Sequence, residues 1–195
     1  MGICHPQWET PMEPREKYIA RLIQDPAAHG LTEARMVNMP QIVAAHWVRL
    51  KCQYSCRGGG NTVFYPPQTP TSHDTAEVME TYRFGLLVRH AAFPKGGERG
   101  AHDLLSEFQQ SLLRIEEAAA TRGYSRAFVY GAGNCVICQG GDEDMRPCDY
   151  PGKARPTLEA SGIDLAETLR MIAWDDYLLR KPGDPLSLFG LLLLE

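Results

Sequence analysis

Three cysteines, Cys135, Cys138 and Cys148, fall in one stretch that opens as soon as the apolar run Ala127-Phe128-Val129-Tyr130 ends. The apolar run reads as a short buried strand. The stretch after it, with Gly140-Gly141 and Asp142-Glu143-Asp144, reads as a loop. A C-x2-C pair sets two sulfurs around a tight turn where both reach one soft metal ion, and Cys148, brought back by the excursion, adds a further vertex. A second pair, Cys52 and Cys56, follows Trp47-Val48-Arg49-Leu50-Lys51 and enters a loop containing Gly58-Gly59-Gly60. Whatever fold the chain adopts, it has to carry two cysteine-bearing loops out of its regular elements.

At 195 residues, 44% of them apolar, the chain is long enough for one well-filled core and short for two. The expectation is one domain over residues 1–195, with residues 1–13 as an N-terminal arm. A net charge of −4 provides no basic field for a phosphate backbone, so no nucleic-acid partner is expected. The longest apolar stretch, Leu188 to Leu194, falls far short of the roughly 20 residues of a membrane-spanning helix and reads as a strand. The first residues lack a basic segment followed by an apolar core, so no signal peptide is read and a cytoplasmic setting is expected. There, reducing conditions favour metal ligands or thiols over a disulfide framework for the six cysteines.

Periodicity gives alternating helices and strands. Pro14 to Gln24 carries Tyr18, Ile19, Leu22 and Ile23 at helical spacing, with Asp25-Pro26 as the stop. Residues 35–38 and Val43 to Cys52 read as strands, the second from Val48 and Leu50 alternating with Trp47, Arg49 and Lys51. Gln53 to Ser72, broken by glycines and by Pro66, Pro67 and Pro70, reads as a loop too long to be a mere turn. Asp74 to Tyr82 predicts a helix and Phe84 to Val88 a buried strand. His102 to Arg122 gives the clearest helix, with a stripe of Leu105, Phe108, Leu112, Ile115 and Ala119 and Gly123 at the C-terminal cap. Asp164 with Glu167 three residues on predicts a capped helix start, and Ser187 to Leu194 the last strand.

This alternation predicts an α/β fold: a mixed, mostly parallel sheet with flanking helices and two long cysteine-bearing loops. In such sheets sites gather at the carboxyl ends of the strands. If Cys52 ends one parallel strand and Cys135 follows another, the two loops leave the same edge. One thiol from the earlier loop would then complete four ligands with Cys135, Cys138 and Cys148.

The segments Val48-Arg49-Leu50-Lys51-Cys52-Gln53-Tyr54-Ser55-Cys56, Tyr65-Pro66-Pro67-Gln68-Thr69-Pro70-Thr71, and Cys135 to Cys148 followed by Ala154-Arg155-Pro156-Thr157-Leu158-Glu159-Ala160-Ser161-Gly162-Ile163-Asp164 also resemble a family. It is the cysteine-rich predicted metal-binding family known as domain of unknown function 2284. The resemblance runs from about Val37 to the C-terminus and implies a small α/β protein holding a metal or iron–sulfur centre, with no settled reaction. Two departures stand out. The family pattern has a cysteine where Tyr65 stands here, and a third cysteine in the later loop where Gly140-Gly141 stands.

The expected centre is an iron–sulfur cluster, with zinc as the alternative, held by Cys135, Cys138 and Cys148 and joined by Cys52 or Cys56. Three roles follow: a redox or accessory protein serving a partner enzyme or redox protein, a metal-dependent enzyme with an open coordination position, or a structural zinc staple. Other readings compete. C-x2-C also supports disulfide exchange, though that leaves Cys148 over. Cys52 and Cys56 read equally as buried small hydrophobes. His90 reads as structural, the run Asp142-Glu143-Asp144 as a solvated loop tip, and Cys4-His5 as uninvolved.

Overall fold

The computed structural model describes residues 13–55, 65–136, 150–174, 181 and 183–195. Residues 1–12 of the proposed N-terminal arm, with Cys4-His5, and Cys56, Gly58-Gly59-Gly60, Cys138, Gly140-Gly141, Asp142-Glu143-Asp144 and Cys148 lie outside these residues. Along the chain run α1 (Arg15–Gln24), β1 (Glu33–Asn38), α2 (His46–Ser55), α3 (Ser72–Glu80), β2 (Phe84–Ala92), α4 (Glu98–Thr121), β3 (Phe128–Tyr130), α5 (Leu165–Met171) and β4 (Leu186–Leu193).

The four strands form one sheet in the order β1-β2-β4-β3, and every neighbouring pair is antiparallel. The expected mostly parallel α/β sheet is therefore wrong. The reason lies in the last strand. Since β2 and β3, joined through helix α4, are both antiparallel to β4, they do run in the same direction, as a crossover connection requires. They are not neighbours, because the Leu-rich C-terminal strand inserts between them and hydrogen-bonds to both. This is a split β-α-β arrangement, and helix–strand alternation alone does not distinguish it from a parallel sheet.

Alternating residues send β2 and β4 into two cores. Leu86, Val88, Leu192 and Leu194 face one side, where Tyr18, Ile19 and Leu22 of α1 and Phe108, Leu112 and Ile115 of α4 cover them. On the other side Leu87, Leu191 and Leu193 meet Met39, Met79 of α3, Leu158, Ile163, Leu169 of α5 and Trp174. Both faces of the central strands are covered, which is why Leu191-Leu192-Leu193-Leu194 reads as an unbroken apolar run. Gly190 lets α4 lie close on β4: a Cβ there would stand 2.9 Å from the Leu112 side chain.

Most predicted elements are present. Helix α4 buries Phe108, Leu112, Ile115 and Ala119 as expected, with Leu104 rather than Leu105 buried in its first half. The α5 cap is also as expected, Asp164 accepting a hydrogen bond from the Glu167 amide at 3.0 Å. Val43 to Cys52 is the local error: from His46 onward it is helix, not strand. The buried residues of α2, Val48 and Cys52, are one turn apart, while Trp47 and Leu50 are more than half exposed. Exposed apolar side chains produced the false alternation. Among the described residues, no helix is long and apolar enough to cross a membrane.

Candidate metal centre

The loop that carries Cys135 is closed at its root. As the chain leaves β3, Gly131 pairs with the returning Thr157: the Gly131 amide donates to the Pro156 carbonyl at 2.9 Å and the Leu158 amide to the Gly131 carbonyl at 3.1 Å. Two side chains of α4 then fix the limbs. Gln109 donates from Nε2 to the Ala132 and Asn134 carbonyls at 3.2 and 2.7 Å, and its Oε1 accepts from the Val136 amide at 3.1 Å, so one amide group spans Cys135 on both sides. Glu116 accepts from the Val129 amide and from both Nε and Nη2 of Arg155 on the return limb. That carboxylate–guanidinium fork is largely shielded, with side-chain exposures of 13% and 19%, where a charge-assisted pair loses least to solvent.

Past Thr157 the chain is knitted to the earlier cysteine segment. Thr69 donates to the Ala160 carbonyl at 2.7 Å and Thr75 to the Ser161 carbonyl at 2.8 Å, both buried. The Ala45 amide donates to the Gly162 carbonyl, and the Asp164 amide to the Val43 carbonyl, each at 2.7 Å. Gly162 is needed here. It has φ +80°, and an added Cβ would come within 2.6 Å of the Ser72 Cβ. Helix α2 thus starts beside residue 162 and runs past Ala160. Arg49, midway along it, donates to the Pro67, Thr69 and Pro70 carbonyls and holds the Pro-rich segment against the helix.

The outcome of these ties is a third, small buried cluster. Cys52, Tyr65 and Ala160 form it, and Cys135 and Ala154 pack against it. Cys52 is buried and Cys135 half-buried. Two thiols far apart in sequence meet at one apolar patch, together with Tyr65, whose hydroxyl donates to the Asn134 side chain next to Cys135. Cys52 is a member of this cluster and Cys135 packs against it, and an α-helix, not the expected parallel strand, delivers Cys52. Cys56, Cys138 and Cys148 lie outside the described residues. Among the described residues, no group of three His, Cys, Asp or Glu side chains is placed to hold a metal ion.

Other candidates separate from this patch. His90 stacks on Phe108 with ring centroids 6.2 Å apart, on the face of the sheet covered by α1 and α4. Its Nδ1 is buried and finds no hydrogen-bond partner among the described residues. Cys135 borders a narrow cleft lined by Gln109, Leu112, Ala132, Lys153 and Arg155. Cys52 borders a larger one, about 320 Å³, between α2 and residues 159–166. Glu159 lines the larger cleft, and burial raises its carboxyl above the usual range near 4.5. Sequence reasoning passed over Gln109, Glu116, Arg155 and Glu159. No periodicity marks them: Gln109, Glu116 and Arg155 bond to groups that only the folded chain brings near, and Glu159 lines a cleft that only the folded chain forms.

Residues 35–194 match the family described as predicted metal-binding protein, domain of unknown function 2284. The chain belongs to this family. The match takes in most of β1, every later element through β4 and both segments of the thiol patch. No curated protein and no solved structure matches the chain. Family membership carries a predicted metal site and leaves the ion, the ligands and the reaction open.

Proposed function

We propose that this protein holds an iron–sulfur or other thiolate-bound metal centre where α2 approaches the segment around Cys135, with Cys52 and Cys135 among the ligands. The observation that carries the reading is that Cys52, Tyr65 and Ala160 form one buried cluster and Cys135 packs against it. Soft thiolate donors in an apolar, water-poor setting suit iron or zinc and do not suit magnesium or calcium. Cys138, within C-x2-C reach of Cys135, together with Cys148 and Cys56, would supply the remaining donors. Tyr65 adds support. The resemblance implies a cysteine at this position in the family, and the Tyr65 side chain lies inside the same cluster, so a thiol there in a relative would join Cys52.

An iron–sulfur centre supplies one-electron transfer, and its potential responds to burial and to hydrogen bonds around the sulfurs. The residues of this chain would set those terms. Gln109 fixes the backbone on both sides of Cys135, Tyr65 and Ala160 exclude water from Cys52, and the Glu116–Arg155 pair anchors the return limb. In a redox or accessory role the acidic chain suits a basic partner protein. A metal-dependent enzyme is the second reading, favoured by the 320 Å³ cleft whose wall includes Cys52.

Anaerobic purification followed by elemental analysis and visible absorption tests the reading. Iron with inorganic sulfide and broad visible bands supports the cluster, and colourless protein with stoichiometric zinc supports the alternative ion. Protein free of transition metal after anaerobic expression with iron and zinc supplied would refute both.

A further inference from the structure

The 320 Å³ cleft beside Cys52 falls within the size range of small-molecule sites, and its two ends differ in chemistry. Helix α2 contributes Trp47, Val48, Lys51, Cys52 and Ser55, which recur at helical spacing and form one face. The opposing wall is Glu159 and Ile163 to Ala166. The orientation of α2 follows from its contacts. Its start lies beside Gly162 and Ile163, through the Ala45–Gly162 hydrogen bond and the Ala44–Ile163 bridge, and its Cys52 end lies beside Ala160. The cleft therefore runs from an apolar end, with Trp47, Val48, Ile163, Leu165 and Ala166, to a polar end with Lys51, Cys52, Ser55 and Glu159.

Charge-bearing groups are Lys51 and Glu159 at the polar end and Asp164 at the apolar end, and burial favours the neutral carboxyl of Glu159. Asp164, at the apolar end, already accepts the Glu167 amide as the cap of α5. Lys51 forms no ion pair among the described residues, and its i+4 neighbour Ser55 places a hydroxyl one turn further along the same helix face. Trp47, 57% exposed at the rim, offers a flat apolar surface to solvent.

We propose that this cleft is a binding site for a small organic anion with a flat apolar body, the body lying against Trp47, Ile163 and Ala166 and the anionic head meeting Lys51 and Ser55. The site does not depend on the metal reading: among the described residues, Cys52 is the thiol in its wall, and the proposed contacts fall on Trp47, Lys51, Ser55, Ile163 and Ala166. If the centre is catalytic, the bound molecule's head lies at the thiol end.

Two fluorescent probes of the same skeleton test this on the full chain: 8-anilinonaphthalene-1-sulfonate, and N-phenyl-1-naphthylamine, which lacks the sulfonate. The sulfonate probe is expected to bind one-to-one. Lys51→Glu should weaken it about five- to tenfold, as reversal of one partly exposed charge allows, and leave the uncharged probe within about twofold. Ala166→Phe, which fills the apolar end, and Trp47→Ala, at a rim position that leaves the core intact, should each weaken both probes. Absence of saturable binding would overturn the proposal. So would unchanged affinity in Trp47→Ala and Ala166→Phe, or an equal effect of Lys51→Glu on both probes.

Discussion

Replacing Gln109 with alanine removes the brace from the Cys135 limb while leaving every cysteine in place. Three hydrogen bonds are lost, at 3.2, 2.7 and 3.1 Å, two of them to carbonyls and one from the Val136 amide. Each is worth about 0.5–1.5 kcal/mol net, and the freed Asn134 carbonyl is exposed enough to find water, so the expected loss is about 1–2 kcal/mol. If that order is what holds Cys135 ready for a ligand, the same energy appears in metal affinity as a loss of about five- to thirtyfold. Gln109→Glu is the sharper variant. It keeps an acceptor for Val136 but presents a carboxylate oxygen to the Ala132 and Asn134 carbonyls, so it should be worse than alanine. Denaturant unfolding reads the stability term, and competition between reduced protein and a chromophoric chelator for zinc reads the affinity. Gln109→Ala with wild-type zinc affinity, or Gln109→Glu binding as tightly as wild type, would refute the brace.

Two further outcomes follow from the same geometry. A double-mutant cycle over Glu116→Ala and Arg155→Ala should give a coupling energy of about 1–3 kcal/mol in denaturant unfolding, because the pair is bidentate and shielded; additive losses would show that the fork does not staple the loop. For Glu159, burial raises the folded-state pKa above the usual value, so the unfolded chain releases its proton first and stability falls as pH rises from the ordinary carboxyl range through the folded value. Glu159→Gln should therefore match wild type at about pH 4 and be the more stable protein at about pH 7, measured with chelator present to remove metal-linked protons. A difference that does not vary with pH contradicts the burial argument.

What the sequence revealed and what it hid divide along a physical line. Local signals were sufficient for α4, whose Phe108, Leu112, Ile115 and Ala119 recur at helical spacing, and for the Asp164 cap, which needs only a residue three positions on. Strand order was not local. Nothing in Leu188 to Leu194 announces that it separates β2 from β3, so a right-direction crossover looked like a parallel sheet. Helix α2 was misread because Trp47 and Leu50 are apolar yet exposed, and amphipathic periods are read from residue type, not from burial. The thiols themselves were legible as residues with a chemistry. Their meeting place was not, because Ala160, Tyr65 and Cys52 converge through main-chain ties such as Ala45 to Gly162 and Thr69 to Ala160 that carry no motif.

The central claim is that Cys52 and Cys135 serve one metal. X-ray absorption at the metal edge, with elemental analysis, measures this in anaerobically prepared wild type and in the Cys52→Ser and Cys135→Ser variants. The account predicts sulfur scatterers at about 2.3 Å in wild type, and either loss of the metal or one fewer sulfur in each variant. Full metal content with an unchanged sulfur shell in the Cys52→Ser variant would show that the buried helix thiol is packing alone and that no shared centre exists.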